Sequence, residues 1–305
     1  MLYLLLMLVM MLISMAFLTL LERKILGYIH CRKGPNKVGL MGLIQPFSDA
    51  MKLFSKEFYF LMNVNYLYYL ISPMLMILIS LIYWFNYPYM NNLYKINYNL
   101  IYFMVLLSLG VYPFMFGGWS SNSIYSMLGC LRVIAQSISF EVSVFFMMYL
   151  IFMYIENFNI MSLMKFQYSI KFVILFFPLY LMFVISMMIE LNRAPFDLIE
   201  GESELVSGFN IEYHSSLFSM IFMAEYLMIL FLSFIITFLF FNFMFSILTL
   251  LFLLIHIYFM IWIRSIMPRI RYDELMYMCW KKILVMLMIY IINMFILKMC
   301  MLMLI

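Results

Sequence analysis

The sequence predicts an all-α membrane protein: eight transmembrane helices, with a further amphipathic helix in the first long loop. Three observations carry this. The 305-residue chain is 68% hydrophobic and 10% charged, with mean hydropathy +1.07, whereas soluble domains are about 45–50% apolar and about 25% charged. Its apolar runs have bilayer length, and its basic residues gather in alternate loops.

Met1 to Leu21 is uncharged and as a helix spans roughly 31 Å, one bilayer core. It has neither the basic start of a signal peptide nor the Arg-rich amphipathic start of a transit peptide, so it reads as the first span. In the loop that follows, Gln45–Phe58 places Phe47, Met51, Phe54 and Phe58 on one helical face, with Asp49, Lys52 and Lys56 opposite and Pro46 in the first turn. A short helix along the membrane surface is the plain reading, and the pattern alone asks no more of it than an interfacial anchor.

Further spans are predicted at 64–86, 99–116, 133–155, 171–190, 217–240, 243–263 and 282–304. Pro73 and Pro178 fall inside spans and should kink them; neighbours in a bundle can satisfy the freed backbone groups. The uncharged run 226–263 would be roughly 57 Å long as one helix, so it must turn, and Asn242 is the best place. No repeat or linker divides residues 1–305, which read as a single polytopic domain.

The loops after the first, third, fifth and seventh spans, with their borders, hold 14 of the 18 Lys and Arg residues. The other side has Lys95, Lys165, Lys171 and Lys298. The positive-inside rule puts the rich side in the matrix or cytoplasm, and both termini opposite. Four scattered cysteines without a C-x-x-C pair argue against a disulfide framework, a zinc site or an iron–sulfur site. His30, His214 and His256 are not at matched depths for a bis-His haem, and His256 reads as a hydrogen-bonded packing residue. The net charge of +4 is too small and scattered to suggest nucleic acid.

The acids are the unusual feature. Glu141, Glu190 and Glu225 lie within or at the ends of spans. Each intramembrane charge costs on the order of 3 kcal/mol, and three together approach the stability of an ordinary domain. Such residues mark ion pathways more often than packing. Asp197, Glu200, Glu202, Glu204 and Glu212 crowd the loop NRAPFDLIEGESELVSGFNIEY (Asn192–Tyr213), interleaved with Phe, Leu, Ile and Val too apolar for free solvent. The loop continues the acidic file upward; considered alone, its acids read equally as helix caps.

The segments LERKILGYIHCRKGPNKVGLMGLIQPFSDAMKLFSKE (Leu21–Glu57), LRVIAQSISFEVS (Leu131–Ser143), ELNRAPFDLIEGESELVSGFNIEY (Glu190–Tyr213), FMAEY (Phe222–Tyr226) and WIRSIMPRIRYDELM (Trp262–Met276) closely resemble the family of mitochondrially encoded subunit 1 of NADH:ubiquinone oxidoreductase, respiratory complex I. The match runs in order from Leu21 to Lys282. The 36 methionines with abundant Ile, Phe, Tyr and Asn suit an A+T-rich mitochondrial gene.

The resemblance implies an eight-helix core subunit in the mitochondrial inner membrane, with termini toward the intermembrane space. It implies ubiquinone as substrate, with FMN and iron–sulfur clusters in partner subunits only. The expected neighbours are the hydrophilic subunits of the quinone site and small membrane subunits. Arg23, Arg32, Phe47, Asp49, Phe222 and Arg271 would line or border a quinone tunnel. Glu141, Glu190, Asp197, Glu200, Glu202, Glu204, Glu212 and Glu225 would form the acidic path that couples quinone reduction to proton pumping.

His30-Cys31 and Leu191 stand where relatives usually carry other residues, and neither removes a charge from the path. A proton-coupled secondary transporter would show an inverted repeat and paired broken helices, and neither is visible. Related membrane-bound hydrogenases share the acidic loop without quinone chemistry, and the mitochondrial composition disfavours them.

Overall fold

The computed structural model describes residues 2–57, 59, 62–88, 96–168, 171–198, 208–242 and 246–303. Every regular element among them is helical. In chain order these are α1 (Leu2–Ile29), α2 (Gln45–Phe54), α3 (Tyr66–Ile82), α4 (Asn99–Ser120), α5 (Ile124–Ile155), α6 (Ile160–Phe166), α7 (Phe172–Leu175), α8 (Phe177–Glu190), α9 (Ser215–Phe241) and α10 (Ile247–Ile266). Last come α11 (Tyr272–Tyr277), a π-helical turn (Met278–Ile283) and α12 (Leu284–Met303). A 3₁₀ turn, Tyr83–Asn86, extends α3.

Seven of these helical stretches are long and apolar enough to cross a membrane. The segment expected as one span over 171–190 is broken instead into α7 and the 14-residue α8. The break is at Phe176 (φ −122°, ψ 42°). Pro178 has no N–H for the carbonyl of Ile174, and its ring crowds that carbonyl, so the helix restarts with the proline in its first turn. Pro73 acts differently, and α3 runs through it. The Tyr69 carbonyl that it frees accepts from Ser72 Oγ and from the Tyr213 hydroxyl, each at 3.4 Å.

Several helices overrun their expected bounds. α1 continues past Leu21 to Ile29, because Glu22, Arg23 and Lys24 are sound helix formers. It stops where the returning loop crosses: a Cβ on Gly27 would stand 2.9 Å from the Gly34 nitrogen. α5 begins at Ile124, nine residues early, so Arg132 lies inside a helix rather than in a loop. The α11–α12 stretch likewise carries Lys281 and Lys282 within helix. α2 stops at Phe54, short of the expected 58, and Phe58 lies outside the described residues.

α9 is the axis of the bundle. It has no polar face below Glu225, and every residue from Ile229 to Phe240 is buried, as a helix apolar on all sides requires. Around it stand α1, α3, α8 and α10, with α4 packed on α3 and α5 on α4 and α8. α9 ends at Asn242, as the length of the run demands, and the Asn242 N–H donates to Gln167 Oε1 at 2.9 Å. Helix hydroxyls satisfy themselves: Ser80, Ser143, Ser186, Ser233 and Thr237 each donate to the carbonyl three residues back.

Candidate functional site

The site begins where α8 ends. Asn192 takes the left-handed conformation (φ 52°) that Asn tolerates, and closes the helix by donating its N–H to the Ile189 carbonyl at 3.1 Å. The chain then reverses, with a cis peptide between Ala194 and Pro195. Gln136 on α5 holds the turn, donating Nε2 to the Ile189 carbonyl (2.8 Å) and the Phe196 carbonyl (3.4 Å). From the other side, the Ile270 N–H donates to the Pro195 carbonyl at 3.0 Å. This frame turns Arg193 into the bundle.

Arg193 bridges two acids. Its Nη1 donates to Glu22 Oε2 at 3.2 Å and its Nη2 to Glu225 Oε2 at 3.3 Å. Its guanidinium carbon lies 4.1 Å from the Tyr226 ring centroid and 5.9 Å from that of Phe222. Burial alone would disfavour its charge, but Glu225, Tyr226 and Glu22 outweigh that and hold it firmly protonated. Glu22, on the buried side of α1, also accepts from the Tyr226 hydroxyl and from Arg264 Nη1. Two carboxylates and two guanidiniums thus meet in one cluster, so each buried charge has a partner.

Two cavities adjoin the cluster. An outer cleft of about 260 Å³, open to the surface, is lined by Glu22, Arg23, Arg193, Asp197, Phe222, Glu225, Tyr226 and Arg264 among others. An inner cavity of about 70 Å³ lies deeper, between Met76, Ser80, Tyr83, Gly110, Ser137, Glu190 and Glu225. Asn192, Ile221 and Glu225 line both. Glu225 therefore has access to each space. Glu141 and Glu190 lie within electrostatic reach of one another and of Tyr83. Glu141, Glu190 and Glu225 are half-buried rather than sealed.

The structure brings together some expected site residues and separates others. Arg23 and Phe222 line the outer cleft. Asp49 sits beside it, bound to Arg23 Nη1 (2.5 Å) and Gln45 Nε2 (2.9 Å), which ties α2 to α1. Phe47 is outside the lining and meets Phe17 edge-on at 6.1 Å. Arg32 is exposed in the first loop, and Arg271 is exposed and paired with Asp273 at 3.0 Å; neither lines the cleft. Asp197 lines it and pairs with Arg269 at 3.6 Å. Glu212 contributes its carbonyl to the Tyr69 hydroxyl. Glu200, Glu202 and Glu204 lie outside the described residues. Tyr213, which closes that loop, bonds Ser72 Oγ at 2.6 Å, and burial pushes its phenol up to about 12.

Glu22, Arg193, Tyr226 and Arg264 were not singled out by the sequence. Glu22 was hidden by its neighbours: ERK reads as the charged border of a span. The available signal was periodicity, since Met15, Leu18 and Glu22 follow at spacings of three and four on one buried face.

Residues 2–296 match the family model described as NADH dehydrogenase. The chain is 52% identical to NADH-ubiquinone oxidoreductase chain 1 of Apis mellifera ligustica over 296 residues, 97% of this chain and 96% of the relative. It is 48% identical to the chain of that name in Aedes aegypti, covering 89% of this chain and 87% of the relative. With that of Locusta migratoria it shares 47% over 92% and 90%. The chain belongs to the NADH-ubiquinone oxidoreductase chain 1 family, a multi-pass inner-membrane component of respiratory complex I.

Proposed function

We propose that this chain builds most of a quinone-binding tunnel and, beneath it, an acidic path that couples quinone reduction to proton translocation. The observation that carries the reading is that Glu225 lines both the outer cleft and the inner cavity. In the outer cleft, Phe222 and Tyr226 offer aromatic faces to a quinone ring, with Arg23 and Asp49 at the rim. Electrons would arrive from the FMN and iron–sulfur clusters of partner subunits, and ubiquinone would be the substrate.

A quinone that gains two electrons takes up two protons to become quinol. Both changes alter the field at Glu225, and in a space shielded from bulk water that field is weakly damped. The Glu225 carboxylate would respond first among the described acids, and Glu190 and Glu141 would follow deeper in the bundle. Asp197 and Glu212 would mark the ends of the acidic loop, with Glu200, Glu202 and Glu204 between them. Phe47, Arg32 and Arg271 would serve the tunnel through segments that partner subunits cover. The basic loops would face the matrix, where the hydrophilic subunits dock.

Glu190→Gln and Glu141→Gln test the path, because Gln keeps shape and hydrogen bonding but cannot titrate. The assembled complex is expected to persist while coupled turnover falls at least tenfold. Glu156→Gln, at the opposite end and exposed, should be neutral. Unmodified quinone reduction and pumping in both path variants would leave the acids a structural network.

A further inference from the structure

Gln136 is fully buried in α5, and both hydrogens of its amide nitrogen are used. One goes to the Ile189 carbonyl at 2.8 Å, ahead of the turn that carries Arg193, and the other to the Phe196 carbonyl at 3.4 Å, behind it. Each carbonyl already accepts from its own chain, Ile189 from the Asn192 N–H and Phe196 from the Leu198 N–H, both at 3.1 Å. With two lone pairs apiece, the two oxygens are thereby filled. The amide oxygen Oε1, by contrast, is buried without a hydrogen-bond partner. An unsatisfied buried acceptor costs about 1–3 kcal/mol. What that cost retains is the two-pronged hold, because two hydrogens on one uncharged nitrogen belong only to a primary amide.

The same turn of α5 anchors a second clamp. Ser139 donates its hydroxyl to the Gln136 carbonyl at 2.8 Å, and its own carbonyl accepts from the Cys279 thiol at 3.3 Å. Cys279 lies in the π-helical turn after α11, and the loop before α11 supplies the Ile270 N–H to Pro195 and Arg269 to Asp197. Glu141 stands five residues beyond Gln136, about 7.5 Å along the helix, and Glu190 directly follows Ile189. The hold on Ile189 therefore ties the helix that bears Glu141 to the residue before Glu190. The hold on Phe196 closes the turn that aims Arg193 at Glu225.

We propose that Gln136 is a positioning residue for the coupling of quinone reduction to the acids: its amide sets the reach of Glu190 to Glu141 and of Arg193 to Glu225. Gln136 lines neither the outer cleft nor the inner cavity, so it acts only through the turn. The inference rests on the proposed role of those acids. A misplacement of about 1 Å can cost on the order of 10²-fold in rate, and it would also break the 3.3 Å contact between Arg193 and Glu225.

The test is coupled NADH:ubiquinone turnover of the whole complex, its assembly checked on a native gel, over about pH 6 to 9, where buried carboxyls titrate. Gln136→Glu keeps the shape. Protonated, its carboxyl donates one hydrogen and keeps one prong; ionised, it donates none and faces two carbonyl oxygens. Turnover relative to the unmodified complex should fall roughly tenfold or more from the acid to the alkaline end. Gln136→Met lacks both hydrogens and should be low at every pH, and adding Glu141→Gln to it should cost no more. The titratable groups nearby are Arg132 and Glu141 on α5, Glu190, Arg193 and Asp197 at the turn, and Arg269 and Cys279 beyond it. All are present in the unmodified complex, so a new step in the profile belongs to position 136. A profile parallel to the unmodified one, whether level with it or uniformly depressed, overturns the role. Failure of both variants to assemble also overturns it and makes Gln136 a folding residue. Where only Gln136→Met assembles, a loss that multiplies with that of Glu141→Gln overturns the role, and one that does not supports it. If Glu141→Gln and Glu190→Gln are themselves silent, the acidic path has failed; if they are not and Gln136→Glu shows no step, only the positioning role fails.

Discussion

The Arg193 guanidinium stands 3.3 Å from the Glu225 carboxylate, on the wall shared by the outer cleft and the inner cavity. The same guanidinium reaches Glu22 on another helix at 3.2 Å. One residue of the loop after α8 thus joins α1 to α9 at the point where the two spaces meet.

Arg193→Met should therefore be more disruptive than the loss of a surface charge. It would leave Glu225 without this cation and Glu22 with Arg264 and the Tyr226 hydroxyl. Breaking a buried pair costs about 3–5 kcal/mol, so the assembled complex should melt markedly earlier in a thermal-shift measurement. Arg193→Lys keeps the charge but cannot fork to both acids, and should fall between. A melting temperature equal to that of the unmodified complex would show the bridge to be dispensable.

Met51→Asp places a charge on the apolar face of α2, where Met51 and Phe54 are exposed. If that face is the wall past which a quinone tail threads, reduction of a long-tailed quinone should drop severalfold more than that of a short-tailed analogue. Phe47→Asp should act in the same direction and also disturb the contact with Phe17. Equal losses in a fully assembled complex, checked on a native gel, would take α2 out of the tunnel.

Tyr213 tests the latch between the acidic loop and α3. Its phenol is pushed up to about 12 by burial, against an ordinary 10.0, so it stays neutral at any working pH. Tyr213→Phe should cost about 1 kcal/mol of stability from lost hydrogen bonds, without moving the pH–activity profile. The folded chain keeps this proton between pH 10 and about 12 while the unfolded chain loses it, so the residue weakens the fold only as pH rises through that window. A shifted profile near neutrality would mean that Tyr213 takes part in proton transfer.

The proposed orientation, basic loops to the matrix, rests on the uneven split of basic residues, 14 of 18 on one side. A protease site inserted near Asn91 should be cut in mitoplasts whose inner membrane is intact, and one near Ser203 should be protected. The reverse pattern would invert the topology.

Composition and periodicity were enough for the membrane-embedded helical class and for most of its spans, because burying one long apolar run in lipid is a local requirement. The stop at Asn242 is of this kind: a 38-residue uncharged run cannot stay in one bilayer. So is the amphipathic pattern of α2. Proline was legible only in part. Pro73 and Pro178 look alike in sequence, yet α3 passes through one while the helix restarts at the other. At Pro73 the freed Tyr69 carbonyl is met by Ser72 and the distant Tyr213, a contact that only the tertiary structure makes. The charge cluster was least legible. Glu22, Arg193 and Arg264 sit at three places in the chain where each alone reads as a boundary charge, and Glu225 reads as an intramembrane acid whose partner the sequence does not name. Only the packing of α1, α9 and α10 around the turn after α8 brings them within hydrogen-bonding distance, because the energy of a buried ion pair depends on geometry that no local pattern encodes.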